Sequence, residues 1–238
     1  MFPGTLGFSL GGKALKEGLW SYNVVNIRDF GITHHKKVDD EPYGGGCGMV
    51  MRPDVLGAAL EYALKKYGGN KIKQQIFYMS PRGGLLNQDK INKIVTESDA
   101  YKNIIIICGR FEGIDQRIIT YYNVEEVSIG DFVISGGELA ALVLVDACVR
   151  LLDGVVSTKE SIKQDSFNME GSMKGLLEYP LYTRPARWNG MDVPEVLSSG
   201  NHQAIECWKL SEAQKITKER RPDLWQIYNN NVNQENKQ

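Results

Sequence analysis

Three glycine-bearing segments carry the residue types and spacings best suited to holding a small molecule. The first is Tyr78-Met79-Ser80-Pro81-Arg82-Gly83-Gly84. The second is Cys108-Gly109-Arg110-Phe111-Glu112-Gly113-Ile114-Asp115. The third is Ser128-Ile129-Gly130-Asp131-Phe132-Val133-Ile134-Ser135-Gly136-Gly137-Glu138. Each lies at or just after the carboxyl end of an apolar, strand-like run, the end of an open α/β sheet where ligands bind. Glycine there lets the backbone approach a ligand or take positive φ. One such loop would read as a tight turn, whereas three at one end of a sheet point to a shared ligand. None spells G-x-G-x-x-G, and no lysine stands poised for phosphates after the second or third. A ligand held mainly by backbone groups, with an adenine in an apolar slot, suits them better than a triphosphate.

Other patterns fail on context. Gly7-Phe8-Ser9-Leu10-Gly11 matches the serine-hydrolase elbow, but that motif needs a strand immediately before it. Gly7 to Lys13 spells G-x-x-x-x-G-K, but Ala14 stands where a phosphate loop needs Ser or Thr. His34 and His35 are adjacent, point apart on any regular element, and have no cysteine at ligand spacing. No metal site is expected from the residues. Cys47, Cys108, Cys148 and Cys207 are widely spaced and form no C-x-x-C, which suits reduced thiols in a cytoplasmic protein.

The elements that must position these loops follow from periodicity. Strands are expected over 22–27, 75–79, 103–108 and 124–129, and helices over 54–66, 88–97, 114–121 and 137–152. Alternating strands and helices predict an α/β fold with a mostly parallel sheet. The isoleucine run Ile104 to Ile107 suits a strand covered on both faces. Over 157–174 the periodicity fades into Ser, Lys, Asp, Asn, Gly and Met, which reads as a flexible linker. Beyond it, 175–238 reads as a small, mainly helical domain, with helices over 201–218 and from Pro222 to 228 and a frayed polar tail over 229–238. The net charge of −1 gives no global argument for nucleic-acid binding, so any such case rests on local clusters. No apolar run reaches the roughly 18 to 20 residues of a membrane span, and no secretory signal is seen.

Over nearly its whole length, from about Asn26 to about Trp225, the chain resembles the bacterial tRNA (guanine-N1)-methyltransferases of the trefoil-knotted SPOUT superfamily. The three loops carry the resemblance, together with Asp39-Asp40, Tyr43-Gly44-Gly45-Gly46, Gly48-Met49, Asp165-Ser166-Phe167 and Gly175-Leu176-Leu177-Glu178-Tyr179-Pro180. Tyr182-Thr183-Arg184-Pro185, Val193-Pro194, Ser199-Gly200-Asn201-His202 and Arg220-Arg221-Pro222 follow in order.

The resemblance implies a deep trefoil knot in the C-terminal part of a 1–156 domain, an exception to the rule that connections do not thread loops. It implies that S-adenosylmethionine is bound by Tyr78, Ser80, Pro81, Gly109, Phe111, Glu112, Ile129, Gly130, Asp131, Phe132, Val133, Ile134, Gly136 and Gly137. Glu112 would face the cofactor's positive end. The implied target is N1 of the guanosine immediately 3′ of the tRNA anticodon, with Asp165 as base and Arg150 stabilising charge on O6. Magnesium would assist, although no Asp/Glu cage in the sequence foretells it. Arg184, Arg187, Lys215, Lys218, Arg220 and Arg221 are candidate phosphate contacts on tRNA. A homodimer would share the active site between chains. The alternatives are a knotted RNA methyltransferase with another target and a catalytically impaired RNA-binding dimer. Some positions depart from the family: Phe111 replaces Tyr, Cys47 replaces Pro or Ala, and Leu181 stands where His or Gln is common. Family members also carry a buried strand ahead of the Phe2-Pro3 pair, and restoring one here is expected to raise the denaturation midpoint.

Overall fold

The computed structural model describes residues 1–67, 75–98, 103–157 and 165–235. The chain divides into two compact units, Met1–Val156 and Ser157–Gln238.

The first unit is built on a parallel sheet of β3 (Gln75–Leu85), β4 (Ile104–Ile107) and β5 (Glu125–Ser128), in the order β4-β3-β5. Tyr78 of the central strand stands opposite Ile107 on one side and Glu126 on the other. Five consecutive residues of β3, Ile76 to Ser80, are buried, as a strand covered on both faces requires. Alternation sends Ile76 and Tyr78 to one face and Phe77 and Met79 to the other. On the first face they pack with α2 (Pro53–Tyr67) and α4 (Gln116–Tyr122) through Leu56, Leu60, Ile118 and Ile119. On the second they pack with α3 (Gln88–Ser98) and α5 (Glu138–Val149) through Ile91, Ile94, Ala141 and Leu144. Before the sheet come α1 (Ser9–Lys16) and a small antiparallel pair, β1 (Asp39–Asp40) with β2 (Val50–Met51).

The strand expected over 22–27 does not form, and the run pairs with no strand among the described residues. Asn26 turns its side chain onto the Arg28 N–H and opens a 3-10 turn over Ile27–Phe30. Such local side-chain bonds compete with strand pairing. β3, by contrast, runs past the expected end at 79. It bulges between Met79 and Gly84, both of which stand opposite Val127, and then resumes its ladder with β5.

In the second unit, α6 (His202–Arg220) and α7 (Pro222–Glu235) follow one another directly. Asn201 caps α6 by accepting from the Ala204 N–H, and Pro222 opens α7, where its missing N–H costs nothing. Met169, Leu176, Ala213 and Tyr228 form the core, flanked by Trp225 and Val232. Thr217 is fully buried; its hydroxyl donates to Ala213 O and accepts from Leu177 N, which ties the preceding segment to α6. Of the linker expected over 157–174, residues 158–164 lie outside the described residues. Within 165–174, Met169 is buried and Gly171–Met173 forms a 3-10 turn. The tail expected to fray from 229 is helical to Glu235. A hairpin of β6 (Arg187–Trp188) and β7 (Met191–Asp192) turns through Asn189 and Gly190, both at positive φ as a type I′ turn demands.

Candidate active site

The second and third glycine loops leave the carboxyl ends of β4 and β5 and are hydrogen-bonded to each other, and the first forms the bulged end of β3. Leu86 N, just past β3, donates to Ser128 O at 2.8 Å, carrying the β3–β5 ladder to the start of the third loop. Gly137 N donates to Gly109 O at 2.9 Å, joining the third to the second. Each junction depends on glycine. A Cβ at Gly137 would lie 2.9 Å from Cys108 Cα. One at Gly83 would collide with the Val127 backbone.

Tyr78 organises the second loop from beneath. Its buried ring fills the space under Gly109, where a Cβ would stand 2.7 Å from Cε2. Burial pushes the phenol above its ordinary range, although Ile114 N–H donates to it. Ser80 is buried and accepts from Arg82 N, shaping the outward turn at Pro81. In the third loop the Ser128 hydroxyl bonds both the N–H and the carbonyl of Gly130. Gly130 has φ +148°, and a Cβ there would stand 2.5 Å from the Phe132 ring. Ile129 and Ile134 are half-buried against the sheet, whereas Asp131, Phe132 and Val133 are exposed.

Two further observations concern Phe111 and Glu112. Phe111 has φ +60°, a conformation a bulky side chain rarely takes and one that clusters at functional sites. Glu112 N donates to Met49 O, and its carboxylate lies over Gly48 so closely that a Cβ there would collide with it. The loop around Gly48 is thus part of the site, a role the sequence reading did not give it. The signal was present in the run of glycines at 44, 45, 46 and 48, all at positive φ. Cys108 sits between these loops. Burial, with the Glu138 charge adding to it, pushes its thiol up to about 12, so it does not act as a nucleophile at neutral pH.

The remaining candidates fall in two places. Arg150 is the C-cap residue of α5, is exposed, and its N–H reaches Asp146 O. Asp165 belongs to the second unit. It opens a turn closed by Asn168 N onto its carbonyl, and its Oδ2 is buried. Next to it, the Ser166 hydroxyl accepts from Glu178 N, and Phe167 has φ +71°. Glu178 was missed from sequence. Burial first, and the Asp165 charge second, push its carboxyl above the ordinary range. Arg184, Arg187, Lys215, Lys218, Arg220 and Arg221 are all exposed. Arg221 makes a two-point contact with Asp223, at 2.9 and 2.6 Å, and Arg187 lies 3.7 Å from Asp192.

Comparison with known proteins places the chain in a family. Residues 1–227 match the family model described as tRNA (Guanine-1)-methyltransferase TrmD. A tRNA (guanine-N(1)-)-methyltransferase of Rickettsia akari (strain Hartford) is 52% identical over 224 residues, 94% of this chain and 92% of the relative. The protein of the same description from Ehrlichia canis (strain Jake) is 48% identical over 232 residues, 98% of this chain and 94% of the relative. One from Rickettsia prowazekii (strain Madrid E) is 50% identical over 224 residues. The chain belongs to the tRNA (guanine-1)-methyltransferase family.

Proposed function

We propose that this chain methylates N1 of the guanosine immediately 3′ of the anticodon of tRNA, using S-adenosylmethionine. The observation that carries the cofactor reading is the bonding of the second and third glycine loops at the carboxyl ends of β4 and β5, beside the bulged end of β3. The donor set suits the cofactor. Backbone groups around Gly109, Gly130 and Gly137 bind without demanding phosphate, Ile129 and Ile134 offer apolar surface to an adenine, and Glu112 supplies negative charge for a cationic group. When bound, S-adenosylmethionine supplies an electrophilic methyl group on a positively charged sulfur.

The chain's own residues handle the proton. Guanine N1 carries a hydrogen and is a poor nucleophile until that hydrogen leaves. Asp165 would accept it, freeing the N1 lone pair to take the methyl group that the cofactor would supply. Negative charge passing to O6 is stabilised by the Arg150 guanidinium. Arg184, Arg187, Lys215, Lys218, Arg220 and Arg221 hold tRNA phosphates. Among the described residues no three His, Cys, Asp or Glu side chains come together, so no step is assigned to magnesium.

The 1–156 unit is read as a trefoil-knotted cofactor domain, 157–174 as the linker and 175–238 as the tRNA-binding domain, in a cytoplasmic homodimer. The apolar surface left on α5 and the third loop supports pairing with a second copy. Leu139 and Val143 lie one turn apart on α5 and are 64% and 48% exposed, and Val133 is 84% exposed.

The test is transfer of labelled methyl to unmodified tRNA, with and without magnesium, followed by mapping of the modified base. Label at N1 beside the anticodon, lost in Asp165→Ala, is the expected result. Label on another base or on a ribose would replace the target with that of a different knotted methyltransferase.

A further inference from the structure

The backbone bond from Gly137 to Gly109 has an ionic companion. Arg110 follows Gly109 in the second loop, and Glu138 follows Gly137 at the start of α5. Arg110 Nε donates to Glu138 Oε1 at 2.9 Å, and Nη2 stands 2.8 Å from the same oxygen. The partners lie 28 positions apart in sequence. The Glu138 side chain is only 19% exposed and that of Arg110 40%, so solvent screens the pair less than a typical surface contact. Glu138 is anchored as the first residue of a helix, where the dipole favours a carboxylate. Gly136 makes room for the crossing. A Cβ there would stand 2.5 Å from Glu138 Oε2 and 2.8 Å from Arg110 Nε.

Both neighbours of this bond matter to the site. Arg110 precedes Phe111, which is held at φ +60°, and Glu112. Glu138 follows the loop of Ile129 to Gly137. Strained residues persist where their surroundings over-determine them, and a two-point anchor one residue before Phe111 supplies such a constraint.

We propose that Arg110 and Glu138 are positioning residues for S-adenosylmethionine, whose ion pair sets the separation between the second and third loops of the proposed cofactor site. The inference rests on the reading of those loops as the cofactor site. Neither side chain needs to touch the ligand; each acts by fixing the loop that does.

Titration calorimetry of the full chain with S-adenosylmethionine, alongside steady-state kinetics, tests this. Arg110→Ala and Glu138→Ala are each expected to weaken cofactor binding about tenfold, as loss of a charged two-point contact would. The KM for the cofactor rises while the KM for tRNA stays at the parent value. The double variant loses no more than either single one, because the two side chains act as a unit. Arg110→Lys, which keeps the charge but lacks the fork, recovers part of the loss. Arg117→Ala breaks an ion pair of 2.7 Å with Asp115 that joins no two loops, and binds cofactor as the parent does. Variants binding cofactor like the parent overturn the proposal while leaving the cofactor site in place. Additive losses in the double variant, or Arg110→Lys faring no better than Arg110→Ala, also overturn it. A parent that binds tRNA but no cofactor removes both the proposal and the site reading beneath it.

Discussion

The loops at the head of the parallel sheet and residues 181–192 of the second unit are both irregular, yet they are held in opposite ways. Among the loops, main chain bonds main chain, a tyrosine ring fills the space below, and glycines stand where no Cβ fits. In the second unit every residue from 181 to 192 is exposed, and its hairpin rests on a two-residue turn. A small ligand gains most from a cleft shaped in advance, because little ordering is left to be done on binding. A polyanion needs cations that can reach it, and exposed side chains on extended backbone provide those. On the proposed reading one region holds cofactor and the other RNA, and separate perturbations should separate those functions.

The largest effect is expected from Asp165→Ala. Loss of a general base should lower methyl transfer by roughly 10²–10⁴-fold, measured by single-turnover transfer to tRNA. Cofactor affinity should not change, since the glycine loops belong to the first unit and Asp165 to the second. A parallel loss of cofactor binding would break the division of labour between the regions.

Next in size is Gly109→Ala. The added methyl would stand 2.7 Å from the ring of buried Tyr78, which packs in the core and has little freedom to retreat. Overpacking of this kind costs about 1–3 kcal/mol, to be read from denaturant midpoints. Cofactor binding should weaken with it. Gly175→Ala, where nothing lies within 4 Å but φ is +84°, should strain only the second unit and leave cofactor affinity alone.

The same contrast explains what the sequence made legible. Glycine loops announce themselves because a backbone requirement leaves only one residue type possible, so the turns near the strand ends could be read directly. Strand β3 was harder. Pro81 and the glycines after it argue for a loop, but a bulge returns Gly84 and Leu85 to the β5 ladder. Helix α7 defeats local propensity as well. Asn229, Asn230 and Asn231 are poor helix formers, but Tyr228 and Val232 lie one turn apart against the second core and carry the helix onward. Asp165 and Arg150 have nothing in their local sequence that marks chemistry, and only family resemblance singled them out. The raised carboxyl of Glu178 arises from tertiary burial beside Asp165, which no local pattern encodes.

A smaller effect is expected on the RNA side. Arg187→Ala and Lys215→Ala should each raise the KM for tRNA a few-fold and reduce the slope of log affinity against log salt by about 1, as loss of one phosphate contact does. Arg221→Ala should fall short of both, because its guanidinium is already engaged by Asp223 at two points. Cofactor titrations should be unchanged in all three.

The smallest effect concerns pH and the second unit alone. The Glu178 carboxyl is raised in the folded state, by burial and then by Asp165, so the folded chain holds this proton more tightly than the unfolded chain does. Its contribution to stability is fully present below the unfolded carboxyl range and is lost as pH rises through the folded value. As the group ionises with rising pH, the folded state comes to bear the burial cost and the repulsion. Glu178→Gln keeps the shape without the charge. It should therefore raise the midpoint of the second unit above the pH at which that carboxyl ionises and remove a fall in stability just above the ordinary carboxylate range. Melting curves of parent and variant that stay parallel from acid to neutral pH would show that burial and the Asp165 charge together shift Glu178 too little to matter.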